Sequence, residues 1–257
     1  MRYSRRSLRW FPPLVLARPS IIRTHTLTAL TDNELEHLHN FVGYGKLNAD
    51  VWFLGMEEAG GGEDNIRARL KFKQVEDCAE AHKILGITKH HDGKKIIQRT
   101  WRGMCYIMLC LEGKETDTES IRNYQADYLG RFQGNSLLCE LMPIPKPSIN
   151  DWGYESLIPQ FASSEEYYRI VKPRRIKYLQ GLINENRPKI IVGYGQGFEK
   201  NYWQAYRELF TDLKFSEKGQ FMVARDANTV VVLTDHFTAI TMNGKFDEVV
   251  SNIKNVA

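Results

Sequence analysis

Four short apolar runs, separated by helical stretches, constrain the fold of this chain most tightly. They are Val51–Leu54, Ser136–Leu141, Pro188–Gly193 and Thr229–Leu233. Each is too short for a buried helix and is bounded by turn residues, so each reads as a strand. None alternates apolar with polar residues, so both faces of every strand must be covered. That is the pattern of a parallel sheet held between helical layers. Helical patterns fall between the runs, at about Asp64–Leu85, Arg99–Leu111, Arg174–Asn186, Phe198–Phe210 and Phe246–Asn255. The expected fold is α/β, a three-layer α/β/α domain over residues 32–257 with a mainly parallel four-stranded central sheet. A chain of 257 residues with 42% hydrophobic content can build such a domain around one sizeable core.

In sheets of this kind ligands sit beyond the carboxyl ends of the strands. The residues found there are Glu57 and Glu58, Glu140, and His236. Glu57 and Glu58 lead into a loop with three consecutive glycines, Gly60 to Gly62. The second run leads into Met142–Pro147, whose prolines are expected to end the strand.

Residues 1–31 carry Arg2, Arg5, Arg6, Arg9, Arg18 and Arg23 and no acidic residue. They read as a solvated tail, as a basic arm that tracks phosphates, or as an organelle transit segment. The net charge of +4 permits a nucleic-acid partner without demanding one. No run approaches the ~18 apolar residues of a membrane span. A cytoplasmic monomer is expected.

The four cysteines, Cys78, Cys105, Cys110 and Cys139, form no Cys-x-x-Cys pair and read as reduced core residues. A zinc or iron–sulfur site is not expected at this spacing. His25, His37, His39 and His82 show no persuasive ligand spacing, and His90 and His91 sit in a basic loop. Neither metal nor cofactor is expected. Two common enzyme classes lack their motifs, because there is no Gly-x-Ser-x-Gly elbow and no phosphate-binding P-loop. The cluster Gly193, Gly195, Gly197 lacks dinucleotide spacing and reads as a tight turn into a helix.

Four segments in order resemble the uracil-DNA glycosylase superfamily. They are Gly55–Gly60 after the first strand, Leu137–Leu141 running into the proline-rich segment, Arg187–Gly195, and Asp235–Ile240 after the last strand. The likeness spans roughly residues 48–254. It implies a glycosylase without a cofactor that hydrolyses the N-glycosidic bond of a base flipped out of DNA. Such a reaction builds positive charge on the sugar and negative charge on the base. The resemblance places Glu57 as the group that orients water and offsets the cation, with Glu58 as its rival. His236 becomes the donor to the leaving base, Trp101 a stacking platform, and Phe237 and Met242 candidate wedges in the duplex. Thr238 belongs to the same last loop. Candidate phosphate contacts are Lys94, Lys95, Arg99, Arg102, Lys146, Arg174, Arg175 and Lys245.

The chain departs from the family where substrate would be read. Glu140 stands where uracil readers carry an Asn, and Ala59 followed by Gly60 stands where a bulky Tyr bars 5-substituted pyrimidines. Phe237 replaces a usual Pro, and the Pro after the activating position is missing. An ionised carboxylate accepts from the cytosine amino group and suits uracil O4 poorly. A protonated one can donate to O4. The implied substrate is a cytosine with a bulky 5-substituent, as in modified phage DNA, so the chain resembles phage-defence glycosylases. The alternatives are an ordinary uracil or damaged-base repair enzyme, and a non-catalytic DNA-binding module on the same fold.

Overall fold

The computed structural model describes residues 28–92, 95–148, 151–195, 202–226 and 228–255. Nearly all of the Arg-rich arm lies outside them, as do Lys94 and Gly197.

All four expected strands are present. They are β2 (Val51–Ala59), β4 (Ser136–Lys146), β5 (Ile190–Tyr194) and β8 (Val230–Thr234). β2 pairs in parallel with β4 and β5, and β5 with β8, so these four form the parallel centre of the sheet. The four-stranded expectation is corrected at the edges, because the described sheet is mixed and has eight strands. β1 (Gly43–Gly45) lies antiparallel to β4, and β3 (Val75–Glu76) lies parallel to β1. On the other side β7 (Phe221–Arg225) is antiparallel to β8, and β6 (Ser216–Lys218) to β7. The order is β3-β1-β4-β2-β5-β8-β7-β6. β1, β3 and β6 are two or three residues long and lack an apolar run, so period alone does not separate them from loops, whereas β7 carries the apolar run Phe221–Ala224, which the four-stranded expectation passes over.

Side chains alternate across the central strands, and both faces are apolar. Phe53, Leu138, Val192 and Val232 pack on one side, against Cys105 and Met108 of α4 (Arg99–Leu111) and Val249 and Ile253 of α8 (Phe246–Asn255). Trp52, Leu137, Ile191 and Val231 pack on the other, against Ile176, Leu179 and Leu182 of α6 (Ser164–Asn186). Fully burying each such side chain contributes ~1.5–3 kcal/mol, which fixes the register of the sheet.

Three boundaries differ from the expectation. The stretch 64–85 is split into α2 (Glu63–Arg69), β3 and α3 (Cys78–Ile84). Asp77 explains the second start, since its side chain accepts the amides of Ala79 and Glu80 as a helix cap. The helix expected from Arg174 begins at Ser164 and runs through Pro173. Tyr167 and Val171 pack into one core cluster before the proline and Ile176 and Leu179 into another after it, and that packing outweighs the missing backbone bond. β4 also continues through Pro143 and Pro145. β1 pairs only with Leu137 to Cys139, so beyond Glu140 one edge of β4 has no strand neighbour that needs its N–H groups.

The chain runs from β2 to β4 on one side and later to β5 on the other. This reversal beside β2 creates a crevice at the carboxyl ends of the central strands.

A shared cavity at the carboxyl ends of the strands

A cavity of about 520 Å³ opens at that crevice. Glu57, Glu58, Ala59 and Gly60 from β2, Glu140 from β4, Trp101 from α4 and His236 after β8 all line it. Its size lies in the range of small-molecule sites, ~300–1,000 Å³. Glu57 and His236, far apart in the chain, thus meet at one rim.

Glu57 and Glu58 sit on the last turns of β2, which extends to Ala59, so they are strand residues. Both line the cavity but take different partners. Tyr168 donates to Glu57 Oε2 at 2.5 Å, and Lys146 Nζ lies 3.4 Å from Glu57 Oε1. Glu58 accepts from Arg69 at 2.7 Å and from Tyr44 at 2.8 Å. Burial pushes the Glu58 carboxyl up, but the charge and hydrogen bond of Arg69, with Tyr44, hold it below the usual value. Glu58 is therefore a clamped carboxylate.

Glu140 behaves differently. Tyr194 donates to its Oε1 at 2.9 Å, and Oε2 has no hydrogen-bond partner among the described residues. Burial pushes the carboxyl up to about 8, against the Tyr194 hydrogen bond, with the charges of Glu58 and Glu57 adding to the rise. At neutral pH Glu140 is protonated. It then offers an O–H and a carbonyl side by side, as an amide offers N–H and carbonyl. The folded state holds this proton more tightly than the unfolded chain. Its contribution to stability therefore falls as pH rises from 4.5 to about 8 and is flat above. Glu140→Gln should remove that slope, which thermal melts across this pH range will show.

Gly55 makes room for this carboxyl. A Cβ there would meet Glu140 Oε2 at 2.1 Å and the Tyr194 hydroxyl at 2.5 Å. Gly55→Ala should therefore displace the Glu140 head while leaving the strands paired. We expect a loss of ligand binding in the cavity that exceeds the loss of melting temperature.

His236 is half-buried, and burial holds its imidazole below the usual value, so it is neutral at pH 7. Thr238 Oγ1 lies 2.8 Å from its Nδ1, and the Thr238 amide donates to Nδ1 at 3.3 Å. An Nδ1 that accepts places the ring proton on Nε2, making that atom a donor. Thr238 is thus a positioning residue for the imidazole.

Several expected surface roles are corrected by burial. Phe237 is 5% exposed, stacks on Tyr194 at 4.9 Å and meets Phe53 and Phe246 edge-on. It supports the tyrosine that holds Glu140 and is no exposed wedge. Met242 is 0% exposed and belongs to the same core. Lys146 and Arg175 are buried and cannot lie on an outer phosphate track. Arg175 donates to the carbonyls of His39 and Glu140 at 3.1 and 3.0 Å. Lys245 pairs with Glu248, and Arg102 stays exposed. Trp101 has one face covered, because His82 stacks on it at 5.2 Å.

One residue was missed. Ile240 is 87% exposed at the start of a 3-10 turn, Ile240–Met242, four positions after His236. An apolar side chain held in water on this loop is a candidate partner contact that its two buried neighbours cannot supply. The sequence signal was its central place in the Thr238–Thr241 loop.

No protein-family model matches the chain, and no curated protein matches it. No helix among the described residues is long and apolar enough to cross a membrane.

Proposed function

We propose that this protein is a monofunctional DNA glycosylase acting on a flipped-out pyrimidine, with a bulky 5-modified cytosine as the leading substrate class. The observation that carries the reading is the convergence of Glu57, Glu140 and His236 on one cavity. In this reading Glu57 orients a water below C1′ of the sugar and offsets the developing cation. The C1′–N bond breaks, and the water oxygen bonds to C1′ as its proton passes to Glu57. The His236 Nε2–H donates to the base oxygen that gains negative charge. The departing base then takes a proton from solvent.

Glu140 and Tyr194 read the base edge. The neutral acid donates to cytosine N3 and accepts from its amino group. Ala59 and Gly60 line the wall where a 5-substituent would lie, and a Cβ placed on Gly60 would meet nothing within 4 Å. That open wall favours a bulky substituent. One observation favours a second reading: a protonated Glu140 also donates to uracil O4, as an Asn amide would. Duplexes containing uracil, 5-hydroxymethylcytosine or glucosylated 5-hydroxymethylcytosine separate the two. Release of the modified cytosine supports the leading reading. Release of uracil alone establishes the second, and release of neither by protein that still binds DNA leaves a non-catalytic module.

The pH response follows from Glu140. Base release that needs the neutral acid should fall as pH rises through about 8. Glu140→Gln keeps a donor and an acceptor at every pH, so its alkaline limb should be flat. A wild-type rate that climbs between pH 7 and 9 would contradict a donating Glu140.

A further inference from the structure

We infer that Cys78, His82 and His91 form a binding site for a zinc-class transition-metal ion, with three protein ligands and a fourth position for another donor. The ligand atoms of these three residues all lie within 4.8 Å of one another. Tetrahedral zinc with bonds of ~2.0–2.3 Å sets its ligands roughly 3.3–3.8 Å apart, so small side-chain shifts complete the geometry. The His91 Nε2 to His82 Nδ1 separation is already 3.1 Å.

The arrangement follows from the local fold. Cys78 and His82 are four residues apart on α3, which places them on one face of the helix. His91 arrives from the loop that follows, where its amide donates to the Thr88 carbonyl at 2.9 Å. Trp101 fixes the orientation of His82 by stacking, and the His91 ring lies 5.8 Å from the same indole. Glu58 and Asp77 place negative charge near Cys78, and Arg131 opposes them.

Soft sulfur with two imidazoles selects zinc, copper or cobalt over magnesium or calcium. Binding replaces the thiol proton of Cys78 with a metal–sulfur bond, and the proton leaves to solvent. The site stands outside the proposed catalytic chemistry. It would tie α3 to the loop that carries Ile87, Lys89 and His90 into the cavity wall. Neither the spacing among the cysteines nor that among the histidines points to a metal site. The Cys-x-x-x-His spacing was the available signal.

The test is metal analysis of the full-length protein purified without chelator, followed by cobalt titration of the stripped protein. We expect about one zinc per chain and a thiolate-to-cobalt charge-transfer band with four-coordinate visible bands. His91→Gln should weaken metal affinity by at least roughly tenfold, and Cys78→Ser should abolish the charge-transfer band. Cys78 is fully buried, so circular dichroism must confirm that its variant folds. His91→Gln, half-buried in a loop, carries the test if it does not. Substoichiometric zinc together with cobalt lacking a thiolate band would overturn the inference and leave a hydrogen-bonded histidine pair. Neither readout depends on base release, so failure of the glycosylase reading is distinguishable.

Discussion

Glu57→Gln should slow base release by about 10²–10⁴-fold in protein that still folds and binds DNA, with a lowered melting temperature because the buried Lys146 loses its carboxylate. The substitution keeps shape and the hydrogen bond from Tyr168, and removes the charge and the proton-accepting capacity. If Glu57 orients water and offsets the sugar cation, both contributions vanish together. Single-turnover measurements isolate this, because binding and product release then drop out. Glu58→Gln is the necessary control. Glu58 holds Arg69, whose side chain is 3% exposed, by a 2.7 Å ion pair. Its loss should appear first as instability, since a buried guanidinium is left without its carboxylate. Full activity in a folded Glu57→Gln protein, with activity lost in Glu58→Gln, would transfer the catalytic role to Glu58.

The central sheet was legible because apolar runs covered on both faces leave a period-independent mark, and β2, β4, β5 and β8 all carry it. The short edge strands β1 and β6 were not, because β6 is exposed at every position and β1 consists of Gly-Tyr-Gly. The proline segment misled for a different reason. Proline forbids a strand only where its missing N–H would face a partner, and pairing partners are a tertiary property. The site was partly legible too. The rule that ligands gather beyond strand ends located Glu57, Glu140 and His236, since chain order and strand direction determine those positions. Burial was not legible. Phe237, Met242 and Lys146 share their residue types with surface contacts, and only packing shows that each faces inward. The Cys78, His82 and His91 grouping depends on how a loop folds back over α3, which spacing along the chain does not determine.

Lys146→Met should cost the fold about 3 kcal/mol, and the matching double variant should recover most of that loss. Lys146 and Glu57 have side chains 0% and 5% exposed, so bulk water screens the pair only weakly. The lysine also donates to Ser164 at 2.8 Å and lies 4.4 Å over the Tyr168 ring. Methionine keeps the length and apolar stem but leaves Glu57 as a buried charge without its cation. For a domain of this size the expected drop in melting temperature is about 6–12 °C. Adding Glu57→Gln removes the stranded charge, so the double variant should melt above the Lys146→Met single. That coupling is the informative quantity, because it isolates the pair from the packing each side chain supplies on its own. If the double melts at or below the single, Lys146 acts through Ser164 and Tyr168 alone, and the cationic support assigned to Glu57 must come from elsewhere in the cavity.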